Sequence, residues 1–189
     1  MKSRGSDRSR RRRSLIRNRR IQTGIMYDVA VFPMNDELFN IFERKGGYRT
    51  DCVINALEFI GIATPTSAGA MRIVQNACCP SGLTTTIIQD IFNTLYSDID
   101  WRFIRYTNDV KYLDHLTSSI HMNQVAFCGI TWSATDSKHV FLIARTDMDQ
   151  LVIIDGQTDQ RILGNKEAMD YLSKGKEWFI LKRRDTTPL

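Results

Sequence analysis

The sequence predicts an α+β domain in which several helices precede an antiparallel β-sheet. Between residues 50 and 95, apolar side chains recur every three or four positions, which is the spacing that places them on one face of a helix. Between residues 124 and 155 the apolar period changes to two, and polar turns separate the apolar segments, as in antiparallel strands. Helices followed by strands, rather than alternating with them, are typical of the α+β class.

The first of these helices is predicted within TDCVINALEFIGI. Thr50 or Asp51 is suited to cap its N-terminus, and Gly61 is suited to end it. The next helix follows Pro65, with Thr66 or Ser67 as its predicted cap. Further helices are predicted over residues 35–44, 65–78, 84–95, 108–120 and 166–174.

The strands include one hairpin whose register matters for function. The turn TDMDQ joins two apolar strands, and closing it with Arg145 opposite Asp149 places His139 opposite Asp155. The segment before Pro33 is predicted as an edge strand. In chain order, strands are predicted over residues 25–32, 101–106, 124–132, 139–145, 151–155, 161–163 and 177–184.

Charge divides the chain into a tail and a body. Residues 1–20 hold ten of the 26 Lys and Arg residues but one acidic residue, which leaves 16 basic and 20 acidic residues in the other 169. The net charge of +5 therefore describes the tail, while the body carries −4. Because such a basic segment cannot bury enough apolar surface to fold alone, we predict a disordered or partner-bound tail over 1–24 and one domain over 25–189.

The tail predicts contact with a polyanion. It contains no aromatic residue for base stacking, so we expect contact with a phosphate backbone rather than sequence readout. An acidic protein surface, a localisation signal and a solubilising tail are the alternatives. The candidate polyanion-binding residues are Arg10, Arg11, Arg12, Arg13, Arg17, Arg19 and Arg20.

Composition argues against several other classes of protein. No window approaches 18 consecutive apolar residues, and no apolar run follows the basic N-terminus, so neither a membrane-spanning helix nor a signal peptide is predicted. The four cysteines lack the spacing of a disulfide framework, and three histidines without a CxxC pair argue against zinc. We therefore expect reduced thiols in an intracellular setting and no cofactor or metal.

Three residues form a candidate site for thiol catalysis, which needs a thiolate, a base and a group that orients the base. Cys52 is predicted in the first turn of its helix, where free N–H groups and the helix dipole lower the pKa of a thiol, although the neighbouring Asp51 opposes a second anion. His139 and Asp155 are predicted cross-strand neighbours, with Cβ atoms roughly 4.5–5.5 Å apart.

Each of these residues also has a simpler interpretation. A histidine at the start of a strand is usually a surface or satisfied core residue, Asp-Gly is usually a turn, and a cysteine is usually a small core residue. The joint pattern is rarer than its parts and favours catalysis. The other histidines, His115 and His121, are predicted at the surface, and the remaining cysteines are predicted in the core: Cys78, Cys79 and Cys128.

At these positions the chain resembles the papain-like cysteine peptidase superfamily. DCVINAL resembles the nucleophile helix, SKHVFLIA the histidine strand and LVIIDGQ the strand of the third residue. HVFLIARTDMDQLVIIDGQTD is similar to the same segment of papain-like toxins and deamidases, and the first helix resembles cysteine-bearing segments in proteins of large DNA viruses. The resemblance, over about residues 46–160, implies a papain-like fold with the nucleophile helix packed on an antiparallel sheet. It implies Cys52 as nucleophile, His139 as base and acid, and Asp155 as orienting group.

Two features of the superfamily are missing. Papain-type enzymes carry a glutamine just before the cysteine that helps to bind the oxyanion, whereas FERKGGYRTDC contains no Gln or Asn. Tyr48, Thr50, Gln157 or a backbone N–H of residues 46–47 are the candidate substitutes. The aromatic residue that usually follows the nucleophile is replaced by Val53.

Two functions are therefore expected. The first is a cysteine hydrolase (peptidase, isopeptidase or deamidase) that acts on a protein substrate or a ubiquitin-like modifier. The alternative is a papain-like fold used as a minor structural component of a virus particle, with the tail binding virion proteins or nucleic acid. Both imply a location in the host cytoplasm or nucleus, or in the virion.

Overall fold

A computed structural model describes residues 28–34, 50–107, 110–158 and 160–185. The described residues form five helices and eight strands, which confirms the α+β class. The helices are α1 Cys52–Phe59, α2 Pro65–Cys78, α3 Thr85–Leu95, α4 Val110–Ser118 and α5 Asn165–Leu172. The strands are β1 Asp28–Val29, β2 Val31–Pro33, β3 Ile99–Thr107, β4 Gln124–Trp132, β5 Lys138–Arg145, β6 Leu151–Asp155, β7 Gln160–Leu163 and β8 Gly175–Asp185.

The strands form one antiparallel sheet in the order β3-β8-β4-β5-β6-β7. The short strand β1 pairs with β8, and the short strand β2 pairs with β4. β1 lies on the edge of β8 that faces β4, and β2 lies on the edge of β4 that faces β8. The prediction of an edge strand before Pro33 is therefore wrong. β1 and β2 fill the gap between β8 and β4, and Pro33 is tolerated because it lies at the end of β2.

Helices cover both faces of the sheet because alternate strand residues point to opposite sides. On one face, α1 and α3 pack with Leu142 and Val152 in a cluster that includes Leu57 and Phe92. On the other face, α4 and α5 pack against residues that include Phe141. The sheet is thus the central layer, and both of its faces are covered by apolar side chains of helices.

The helix α1 is buried on nearly all sides, with every residue after Cys52 buried. Gly61 follows it with φ of +77°, a left-handed conformation that favours glycine, in agreement with its prediction as the stop residue.

The predicted cap of α2 is wrong, because Thr64 caps it and Pro65 begins it. The Thr64 and Ser67 side chains each accept from the other's backbone N–H, which satisfies two donors that a cap at Thr66 would leave open.

Several predictions fall outside the described residues. They include the helix over 35–44 and the whole basic tail with its seven arginine candidates. Within the described ranges, no helix is long and apolar enough to cross a membrane.

Candidate active site

His139 and Asp155 are in direct contact. The Nε2 atom of His139 lies 2.7 Å from Oδ2 of Asp155, and both side chains are largely shielded from solvent. The structure thus places this pair together, as the sequence predicted.

The predicted register of the hairpin is wrong by two residues. Arg145 pairs with Leu151 rather than Asp149, because the turn is two residues longer than expected, with Thr146 N–H donating to the Gln150 carbonyl. Asp149 adopts φ of +60° within that turn. A shift of two preserves which face each side chain occupies, so His139 reaches Asp155 diagonally across the sheet.

Asp155 is held by four donors. Its Oδ2 accepts from Tyr171 Oη at 3.3 Å as well as from His139, while its Oδ1 accepts from the backbone N–H groups of Gln157 at 3.0 Å and Thr158 at 3.3 Å. Burial alone would raise the pKa of Asp155, but the hydrogen bond and charge of His139 and the neighbouring donors lower it below its ordinary value. The carboxylate is therefore held ionised and fixed in orientation.

Aromatic rings surround this pair. The ring of Trp132 stacks on His139 with centroids 6.4 Å apart, and Tyr171 meets Trp132 and Phe141 edge-on at 5.1 and 5.3 Å. These rings restrict the orientation of the imidazole. Sequence reasoning missed both Trp132 and Tyr171. The contact of Trp132 with His139 could have been predicted from the pairing of β4 with β5. The contact of Tyr171 with Asp155 could not, because Tyr171 belongs to α5 and no local spacing in the sequence indicates that α5 packs there.

Cys52 interacts with the same imidazole. It is the first residue of α1, is partly exposed and lines the same 300 Å³ cavity as His139. Burial lowers the pKa of His139, but hydrogen bonds and charge from Asp155 and Cys52 outweigh it and raise the pKa to about 9. Because Nε2 bonds to Asp155, Nδ1 is the ring nitrogen left for the thiol.

The raised pKa of His139 predicts a loss of stability in alkaline solution. Its pKa of about 9 in the folded protein exceeds the ordinary 6.5, so the charged imidazole favours the folded state. This contribution is complete below pH 6.5 and is lost as the pH rises through 9. It amounts to about 3 kcal/mol. Urea unfolding of reduced protein at pH 6.5 and 9 measures it, with His139→Gln as the comparison. Equal pH dependence in the two proteins would contradict the prediction.

A buried polar network lies behind the cysteine. Arg72 of α2 donates from Nε to Asp51 at 3.3 Å and from Nη2 to Asn55 at 2.6 Å and Glu58 at 2.8 Å. Asp51 takes the N-cap position but its side chain does not cap α1. Its negative charge, expected to oppose an anion at Cys52, is instead paired with Arg72.

Asn55 connects this network to the turn that follows Asp155. Its Nδ2 donates to Oδ1 of Asp51 and to the carbonyl of Gly156, both at 3.2 Å. The helix that carries Cys52 is thereby tied to the segment that carries Asp155. Sequence reasoning missed this connection, although Asp51, Asn55 and Glu58 form a polar stripe with spacings of four and three on an otherwise apolar helix.

The structure distinguishes between the three side chains predicted as oxyanion donors. Thr50 is unsuited, because its hydroxyl donates to the carbonyl of Pro80 at 3.1 Å and also contacts Gln75. Gln157 lines the cavity with Cys52 and His139 and remains a candidate. Tyr48 lies outside the described residues. The first backbone N–H of α1 that bonds to a carbonyl four residues earlier is that of Asn55, which bonds to Asp51. The N–H of Cys52, in the turn before it, has no such partner within the helix and is a further candidate oxyanion donor.

The other cysteines and histidines lie away from this pair. His115 and His121 are exposed, as predicted. Cys128 is buried, and burial raises the pKa of its thiol well above the ordinary value. The prediction that Cys78 is a core residue is wrong, because it ends α2 on the exposed side. Among the described residues, no group of three or more His, Cys, Asp or Glu side chains is arranged to hold a metal.

A scan against protein-family models gives no matching family, and a search of curated proteins gives no significant match.

Proposed function

We propose that the protein is a cysteine hydrolase of the papain-like type that cleaves an amide bond in a protein substrate. The observation that supports this most directly is the position of His139, which bonds to Asp155 through Nε2 at 2.7 Å and also interacts with the Cys52 thiol. A nucleophile, a base and an orienting group in contact are the minimum set for thiol catalysis.

The residues support a two-step reaction through a thioester. The Cys52 thiol gives its proton to Nδ1 of His139, and the sulfur attacks the amide carbonyl carbon to form a C–S bond. The resulting oxyanion is held by the N–H of Cys52 and the side-chain amide of Gln157. As the C–N bond breaks, the imidazolium gives its proton to the leaving amine. Water, deprotonated by His139, then attacks the thioester, which releases the carboxylic acid and the thiol.

The electrostatics of the site fit this sequence of steps. A pKa of about 9 favours the protonated form of His139, so the imidazolium that forms when the Cys52 thiol gives up its proton is stabilised and remains available as the acid for the leaving amine. Ionised Asp155 stabilises that imidazolium and holds its orientation. Arg72 pairs with Asp51 and so offsets the negative charge next to Cys52.

Active-site labelling tests the proposal. A peptide vinyl sulfone, which traps a nucleophilic thiolate, is expected to modify Cys52 in the folded protein. His139→Gln should slow this reaction by about 10²–10⁴-fold because it removes the base, and Cys52→Ser should abolish it. Cys78→Ser, which removes an exposed thiol away from the site, is the matched control and should react normally.

Two outcomes would contradict it. In the first, Cys52 reacts no faster than a free cysteine and at the same rate in His139→Gln, as the alternative structural role in a virus particle predicts. In the second, peptide mapping finds the label on Cys78 rather than Cys52.

A further inference from the structure

We propose that the cavity beside Cys52 binds an apolar side chain in the acyl half of the substrate, so that the preferred substrate is an apolar peptide rather than a chain ending in glycine. This inference rests on the proposed hydrolase function and adds its substrate class.

The cavity is formed by elements from across the fold. Its volume of about 300 Å³ is at the lower end of the range for ligand pockets and accommodates one or two side chains. The apolar residues that line it come from α1, α3, four strands and the loop before α3: Val53, Leu83, Ile88, Phe103, Ile130, Val140 and Phe179. Such a lining disfavours a charged group, because burial without a partner is costly.

The cavity also has polar groups, with no carboxylate among the described residues. They are the hydroxyl groups of Ser81, Thr84 and Thr85, the amide of Gln157, the imidazole of His139 and the ammonium of Lys138, whereas the Thr50 hydroxyl is already bonded to Pro80. The Nζ of Lys138 lies 5.2 Å from the ring centroid of Phe179, so its charge is already placed against an aromatic face. The cavity therefore offers an apolar wall together with hydrogen-bonding groups suited to a peptide backbone.

Gly129 keeps part of the cavity open. It lies in the middle of β4, and a Cβ atom built there would be 3.4 Å from the carbonyl oxygen of His139 and 3.5 Å from Cβ of Phe179. A glycine inside a strand weakens it and often marks the close approach of a ligand or another chain. Here the missing side chain leaves free space between two strands that line the cavity.

The direction of the substrate follows from the position of Cys52. A second cavity of about 760 Å³ adjoins the first, shares His139 and Gln157 with it, and is lined by Asp155 and Tyr171 but not by Cys52. The leaving half does not become bonded to the sulfur, so we assign it to this second cavity. The acyl half, which becomes bonded to the sulfur, lies in the apolar cavity that contains Cys52.

The test uses wild-type protein and a set of dipeptide vinyl sulfones. The probes differ only in their two amino-acid residues, the one attached to the vinyl sulfone and the one on its N-terminal side. Probes with Leu or Phe at either position are expected to label Cys52 about 10–100-fold faster than probes with Ser, Asp or Gly. Leu83→Ser, in the loop that lines the cavity, should reduce this preference several-fold. Leu163→Ser, an exposed leucine on β7, is the matched control and should keep the preference.

The small reagent iodoacetamide separates failure of this inference from failure of the proposed function. If iodoacetamide alkylates Cys52 in a His139-dependent manner but the peptide probes show no apolar preference, the substrate inference alone is overturned. If alkylation does not depend on His139, the proposed function is overturned and the substrate inference with it. Faster labelling by a ubiquitin-type probe ending in glycine than by the apolar peptides would also overturn the inference.

Discussion

Asp155→Asn is expected to lower kcat/KM, or the rate of Cys52 labelling, by about 10³–10⁴-fold. The carboxylate of Asp155 stabilises the imidazolium of His139 at 2.7 Å and selects the ring orientation that presents Nδ1 to the thiol. Asparagine has nearly the same shape, and its carbonyl oxygen can still accept from the N–H groups of Gln157 and Thr158. The substitution therefore removes the charge while the turn is retained.

Tyr171→Phe is the matched control for Asp155→Asn. It removes a single 3.3 Å hydrogen bond to the same carboxylate oxygen and leaves the ion pair in place, so we expect a loss of less than about tenfold. In Asp155→Asn the pKa of His139 should also fall, which can be followed by NMR titration of the imidazole. A variant that keeps more than a tenth of the wild-type rate would show that Asp155 serves only the turn.

Arg72→Met is expected to reduce the free energy of unfolding by about 3–5 kcal/mol. The guanidinium is 7% exposed and pairs with Asp51, which is fully buried, and with Glu58. Removing it leaves two carboxylates close together in the interior without a countercharge. Urea unfolding followed by tryptophan fluorescence measures the effect.

Two comparisons identify the cause of that loss. Arg102→Met removes an arginine that is 53% exposed and paired with Asp100, and should change the free energy of unfolding by less than about 1 kcal/mol. Combining Arg72→Met with Asp51→Asn and Glu58→Gln should recover part of the stability, because the uncompensated charges are then absent. A loss below about 1 kcal/mol in Arg72→Met would show that the network is not an important source of stability.

The hairpin shows what a local pattern can and cannot predict. Alternation with a period of two correctly assigned His139 and Asp155 to one face, because that assignment depends only on parity. The register was wrong, because it depends on the number of residues in the turn, and the left-handed conformation of Asp149 is not evident from the sequence.

In the helix that carries Cys52, too, local features were predicted correctly and long-range contacts were not. Its position, its stop at Gly61 and its apolar character followed from the spacing of residues 50–62. The partners of its polar residues did not. Arg72 is 21 positions from Asp51, and Gly156 is 101 positions from Asn55. The interpretation of Thr50 as an oxyanion donor was wrong for the same reason, since its acceptor, Pro80, belongs to the loop after α2.

The sequence by itself thus determined the α+β class, the faces of the strands and the candidate set of Cys52, His139 and Asp155. Those features depend on periods of two and 3.6 residues and on short turns, which neighbouring residues specify. Only the tertiary structure decided what surrounds the set: the hydrogen bond from the Tyr171 hydroxyl to Asp155, the Asn55 bond to Gly156, the Arg72 pairing of Asp51 and the cavity beside the thiol. Each of these brings together segments far apart in the chain, and packing, rather than local spacing, determines which of them meet.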